Sequence, residues 1–548
     1  MRPTSFQIHS RRLLRALLVF ASLALSVAMA LAADTGAELW RQYRADPDRH
    51  PLIPDCSYAG YQCGDVALPE PPAQFDLARD FGAVGDGASD ATAAFAAAIA
   101  KAAAAARPGN PAVIAIPAGI FYVTGLIRLD HSGVVLRGAA RGDTIIAFQK
   151  PLTDVIGASL AGTSSRWSWC GGLVWLGPGD VFAGDGPFHP PATTQDWEEW
   201  QDLPAVARVT APARRGDQTV QVDEAGAKAL RAGDTLLLCW ANPLDRSLLL
   251  HIAGHELMAR YDWERSAQNL TSIKTWRWPV EVAAIAGTTV TLRQPLRIDI
   301  RPEWQVHFAP LGSHVRDCGI ERLTLRMVPH EPAKHLADQG WNGVYLNRVL
   351  HCWVRDVTIE NSDNAVIHAA AKNTTVTGLH VTGGRHHHAT ALRVSSHDNL
   401  ITDFRIESQP RHGINTEFLS SGNVWSRGVM LHGTFDSHRA MSFESVRTDI
   451  TVVNDGTPGG GGQSGPFLGA RMVHWNIRVS GKADFIYQPE CLSLGALVGI
   501  QGLPRLDHEG WAMPRGDKGV VVADDGKVPD PVDLHAAQVA LRRSTAAK

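Results

Sequence analysis

The sequence has almost no net charge to spend on a partner. Across 548 residues, 52 Lys and Arg are set against 55 Asp and Glu, a formal charge of −3. There is thus no basic field for nucleic acid. It has no CxxC pair, which removes the usual zinc-finger and redox spacings. Its seven cysteines are an odd number. Cys170, Cys239, Cys318, Cys352 and Cys491 stand singly among apolar neighbours and read as buried, inert thiols. Cys56 and Cys63 are close enough for a small-loop disulfide, with two free thiols as the equal alternative. After residue 31 no stretch approaches the ~18–20 apolar residues that span a bilayer. The Gly-rich run "GTPGGGGQSG", 456–465, lacks the GK[ST] ending of a phosphate loop and reads as a loop bordering a groove.

The long apolar run that does exist opens the chain. Basic residues, an apolar stretch from about Leu13 to Leu31 and a small-x-small site at Ala30–Ala32 have the make-up of a secretory leader. The expectation is a signal peptide over 1–32, cleaved near Ala32. The product is then periplasmic or secreted, with no membrane association after cleavage.

Residues 75–123 alternate in type. Phe75 to Phe81 reads as a strand, "GAVGDGASD" as a Gly/Asp turn with Ser89 or Asp90 as a helix cap, and Ala91 to Ala106 as an alanine-driven helix. "AVIAIPAGIFYV" returns to strand. This stretch, with "GVVLRGAARGDTII" at 133–146, resembles the opening of the pectate-lyase-like superfamily of right-handed parallel β-helices. The resemblance implies an all-β coil whose end is covered by a helix. It implies no particular activity, because lyases, hydrolases, epimerases and adhesins share the fold.

Later residues repeat with the period of such a coil. The apolar triplets at 357–359, 379–381, 404–406 and 429–431 recur roughly every 22–25 residues, with a fifth at 476–478. Between the early and later coils, about 205–300, short strands joined by Gly-Asp turns read as an inserted β-unit. Its connection, 248–278, is long enough to reach over the groove. Residues 531–543 read as a helix covering the far end of the coil. The expected organisation is a 33–74 extension, first coils with the capping helix over 75–200, an inserted small β-rich domain over 201–305, the main coil over 306–500 and a tail with a C-terminal helix over 501–548.

In a parallel coil, equivalent positions of successive turns stack about 4.8 Å apart. The segments after the triplets then place Asp363, Arg385 to His388, Arg411 with His412, and Asp436 with His438 and Arg439 in one ladder. Aligning Ala365, Ala391, Gly413 and Ala440 puts Arg393, Asn415, Glu417 and Glu444 on the outer face, with the two glutamates on adjacent rungs.

Histidine titrates near neutrality and moves protons. Arginine grips carboxylates through two parallel bonds. These residue types fit β-elimination on a uronic-acid polysaccharide, with Arg385, Arg411 and Arg439 as clamps, Arg393 and Asn415 as further substrate-binding residues, and His387, His412 or His438 as base. The alternatives are a glycoside hydrolase using Glu417 and Glu444 at the short, retaining separation, and a non-catalytic glycan binder. The Ser-Gly-Asp-Asp type motif of polygalacturonase-like hydrolases is missing. Trp167, Trp169, Trp175, Trp276 and Trp278 are candidate sugar-stacking rings, though core positions suit most of them. Adjacent histidines of one turn rarely converge on one ion. No cofactor or metal is therefore expected, calcium being the one cation left open, and the expected partner is an anionic polysaccharide.

Overall fold

The computed structural model describes residues 35–179, 203–254, 263, 268–271, 273–437, 441–455, 468–481, 493–502 and 521–546. The expected signal peptide and the Gly-rich run lie outside them. The chain is a parallel β-helix. Among the described residues, seventeen strands form one continuous sheet around two sides of the coil, and seven more, from Ile127–Leu129 to Phe435–Ser437, form the third side. Every pairing in both is parallel, as between Gly319–Met327 and Trp353–Glu360 or Asn364–Ala369 and His388–Arg393.

The bend between the first two sides has a backbone cause. Asp356, Asp403, Arg427, Asp449 and Asn476 occupy equivalent positions and all have φ between 51° and 54°. Four of the five are Asp or Asn, residues whose short polar side chains tolerate the left-handed region.

The helix Thr92–Ala105 covers the N-terminal coils and buries Phe95, Ala98, Ile99 and Ala102. Its cap differs from expectation: Ala91 holds that position with no side-chain bond, while Asp90 accepts from Thr92 and Thr124. The Phe75–Phe81 strand is corrected as well. The strand is Ala73–Asp76, and Leu77–Phe81 is helical because the Asp76 carboxylate accepts from the amides of Ala78 and Arg79. No described helix is long and apolar enough to cross a membrane.

The insertion is a six-stranded antiparallel sheet, Ala207–Arg208 to His307–Pro310. It docks where the third-side strands end. Trp276 and Trp278 from the insertion share a core with Val394, Phe418, Leu419 and Phe443 of the coil. The described part of its connection, including Ser247–Ala253, packs on this flank, where Ala470 donates to the Ile252 carbonyl.

The dock contains buried charge. Asp398, Gly422, Glu444 and Arg471 follow one another on successive rungs, linked by their backbone bonds. Arg297 of the insertion pairs with Asp398 and, at 3.2 Å, with Glu444. It can bridge two carboxylates two rungs apart because the intervening residue is glycine. A Cβ on Gly422, whose φ is +70°, would stand 2.4 Å from the Arg297 guanidinium and 2.2 Å from the Asp398 carboxylate. Arg215 at 2.8 Å and Arg471 at 2.5 Å complete the cage on Glu444, and Lys372 pairs with Asp398.

Burial raises the affinity of both carboxyls for protons, and the cations more than reverse it. Arg297 and Lys372 hold Asp398 down to about 2, and Arg215, Arg471 and Arg297 hold Glu444 down to about 2. Because the folded values lie below the unfolded ones, the contribution is complete above about pH 5 and is lost as pH falls from about 4.5 toward 2. The thermal midpoint should therefore fall steeply over that window. A midpoint flat from pH 5 to 2.5 would show that the cage adds nothing.

The N-terminal extension runs along the same flank. Gln62 contacts His351, Gly60 bonds Asp398, and Cys56 donates to the Glu444 carbonyl. Cys63 faces Asn373 instead. Asn373 and Glu444 lie three rungs apart, roughly 14 Å at strand spacing. The two sulfurs are consequently directed away from each other, and both are free, buried thiols. Cys170, Cys239, Cys318 and Cys352 are likewise buried and unbridged; Cys491 lies outside the described residues.

The C-terminal helix, Leu534–Ala546, does not cover the far end of the coil. It lies on the flank, with Leu534 against Val446 and Val473. Gln538 donates to the Pro54 carbonyl, and Arg542 pairs with Asp65 at 2.5 Å.

Candidate functional site

The histidines sit at the opposite, N-terminal ends of the third-side strands. The His387 amide donates to the Asp363 carbonyl and the His412 amide to the His387 carbonyl, so the three follow on successive rungs. Gly413 lets the next rung close in, since a Cβ there would stand 2.0 Å from the Thr434 carbonyl oxygen. The imidazoles of His387, His388 and His412 stack across the preceding two rungs. Ring centroids are 4.4 Å apart for His387 and His388, 4.8 Å for His387 and His412, and 4.9 Å for His388 and His412.

Carboxylates orient these rings. His387 Nδ1 lies 3.0 Å from Asp338 Oδ2, and His412 Nδ1 lies 3.5 Å from Asp436 Oδ1. Asp436 in turn accepts from Asn415 on the preceding rung. His388 Nδ1 lies 2.8 Å from the Asn364 amide oxygen. Burial works against ionisation of Asp338, but the bond to His387, that ring's charge and a bond from Ser168 together hold the carboxyl below the ordinary range. His386 is different: burial pushes it down to about 3, so it stays neutral, with Nε2 at 2.8 Å from the Ser408 hydroxyl.

The loop 328–343, between two strands of the coil, supplies what the repeat alignment does not reach. Exposed His335 brings its Nε2 to 3.3 Å from His412 Nε2, and its ring centroid lies 5.3 Å from that of His387. His330 bonds Asp363 at 3.0 Å, and Asp363 also accepts from the amides of Gly340 and Trp341. The sequence signal for this loop is compositional only: His330, His335 and Asp338 crowd one short polar stretch. Next to these histidines in the chain, Arg385 and Arg411 are exposed and form no side-chain ion pair among the described residues.

Other expected residues lie elsewhere. Arg393 pairs with Glu417 on the neighbouring rung and donates to the Trp169 carbonyl, so it is already engaged. The rung alignment needs correction. Ala391 pairs with Ile367 and Asn415, two residues on from Ala365 and Gly413. The next strand is Phe435–Ser437, where Asp436 takes the position opposite Asn415.

Glu444 therefore has no place beside Glu417. It stacks on Gly422 at the far end of the strands and is enclosed by arginines, so the structure does not form the Glu417–Glu444 pair. The connection of the insertion, in its described part, lies on that same far flank rather than over the histidines. His438 and Arg439 lie outside the described residues. Trp167, Trp175, Trp276 and Trp278 are fully buried and serve the core, while Trp169 is only partly buried.

Residues 77–165 match the family described as "Rhamnogalacturonase A/epimerase, pectate lyase-like". No curated protein matches the chain. Similar solved structures include the tailspike protein gp49 from Pseudomonas phage LKA1, at 14% identity and TM-score 0.43, covering 78% of this chain and 64% of that one. PfbA, a surface adhesin of Streptococcus pneumoniae, is 10% identical with TM-score 0.37, covering 83% and 77%. The A-module of the Azotobacter vinelandii mannuronan C-5 epimerase AlgE6 is 13% identical with TM-score 0.27, covering 83% and 100%. The chain thus spans less than two thirds of the tailspike's length.

Proposed function

Since the chain is a pectate-lyase-like right-handed parallel β-helix protein, we propose that it is an exported enzyme that cleaves a uronic-acid-containing polysaccharide by β-elimination. The observation that carries this reading is the stacking of His387 on His412 across adjacent rungs, ring centroids 4.8 Å apart, each beside a carboxylate and next to exposed arginines in the chain.

Elimination has three requirements. The uronate charge must be neutralised so that the C5 proton becomes acidic. That proton must be taken by a base as the C4–O bond breaks, and the leaving oxygen must gain a proton. Arg385 and Arg411 suit the first task, being exposed and permanently charged. The histidine cluster carries the proton acceptor, with His387 and His412 its two members set beside carboxylates. Arg393 has no part in this scheme because Glu417 and Trp169 occupy it. The leader-like first 32 residues support export to the periplasm or beyond, where such polymers are met.

The double variant R385A/R411A tests the clamps. Loss of two charge-assisted contacts should lower kcat/KM on an acidic polysaccharide by about 10²-fold or more, chiefly through KM. Unchanged kinetics would remove the clamps from the mechanism.

A further inference from the structure

We propose that His335, His387 and His412 hold one divalent transition metal, zinc in the first instance. The ligand atoms of the three side chains all lie within 4.8 Å of one another. Two nitrogens bound to one tetrahedral zinc at about 2.0–2.1 Å stand about 3.3–3.4 Å apart. His335 Nε2 and His412 Nε2 are 3.3 Å apart, facing each other.

The surroundings fit the same assignment. Histidines that bind metals commonly give their second nitrogen to a carboxylate, which fixes the ring and makes the ligating nitrogen more basic. Asp338 takes Nδ1 of His387, and Asp436 stands at Nδ1 of His412. Nε2 is therefore the nitrogen that each ring would give to the ion. Three neutral imidazoles with no carboxylate in the inner set favour zinc over calcium, which prefers six to eight oxygens. The ligands come from three separate segments: a loop and two successive rungs. Convergence is therefore a product of coil stacking and does not depend on neighbouring histidines of one turn. Three protein ligands leave a fourth position for water, whose pKa zinc lowers to about 7. On the elimination reading, and resting on it, the zinc-bound hydroxide takes the C5 proton and becomes water.

The test is zinc titration of the chelator-treated full chain by calorimetry, with cobalt substitution followed by visible absorption. One equivalent should bind with Kd of about 1 μM or tighter, and cobalt should give the intense bands of a tetrahedral site. H335A, on an exposed loop, should weaken binding about 100-fold with the fold retained, and D338N about 10–100-fold. Absence of saturable uptake, uptake unaltered by H335A, or uptake of calcium alone would overturn the assignment. The two readings separate cleanly. Zinc bound at this site with no polysaccharide cleaved defeats only the elimination reading. Elimination at full rate in chelated protein defeats the hydroxide's role and leaves elimination standing.

Discussion

Glu444→Ala is expected to destabilise the protein by about 3–5 kcal/mol, the cost of leaving buried cations without their counter-charge. Glu444 is 2% exposed and meets Arg215, Arg297 and Arg471. Two of these come from the insertion, so the carboxylate joins the insertion to the coil. Its removal takes this carboxylate from Arg215 and Arg471 and leaves Arg297 paired with Asp398 alone. The polar isostere, Glu444→Gln, keeps an acceptor oxygen but loses the charge, and should fall only slightly short of the alanine effect. Denaturant unfolding followed by tryptophan fluorescence reads the insertion directly, because Trp240, Trp276 and Trp278 lie in the docked core. A loss below about 1 kcal/mol would mean that water reaches the cage and screens it.

His412→Ala is expected to slow elimination by about 10²–10⁴-fold, the usual range for losing a positioned proton acceptor, whether His412 takes the proton itself or holds the zinc whose hydroxide takes it. His412 occupies the centre of the cluster, touching His335, His387 and His388 and facing Asp436. The loss should lie in kcat, since the proposed clamps Arg385 and Arg411 remain. A rate within threefold of the parent would place the chemistry elsewhere on the coil. A rise in KM with kcat unchanged would make the histidines a binding surface only.

These two residues show what sequence can and cannot deliver in a solenoid. The coil was legible because its period repeats and its capping segment is distinctive. Stacking of Asp363, His387 and His412 was legible because it needs only the approximate rung length. Rung-to-rung register was not. Side chains alternate with period two, so the slip of two residues at Ala365 and Gly413 left Arg393, Asn415 and Glu417 on the correct face while assigning them the wrong neighbours. The error at the short strand Phe435–Ser437 was larger. Six residues separate Ala440 from Thr434, the residue that does follow Gly413 on the next rung, and that shift carried Glu444 from a buried cage to an imagined catalytic pair. His335 and Asp338 were invisible for another reason. They lie in a loop outside the repeat, and only the folded coil brings them to the ladder.

The most direct measurement is the protein without residues 1–32 incubated with a panel of acidic and neutral polysaccharides, followed together by absorbance at ~235 nm and by reducing ends. Elimination leaves a conjugated 4,5-unsaturated uronate, so absorbance and reducing ends should rise in step on a uronic-acid polymer and not on its carboxyl-reduced form. Reducing ends without absorbance would contradict elimination and indicate hydrolysis. Neither signal across the panel would contradict an enzyme of this class and leave a glycan-binding coil.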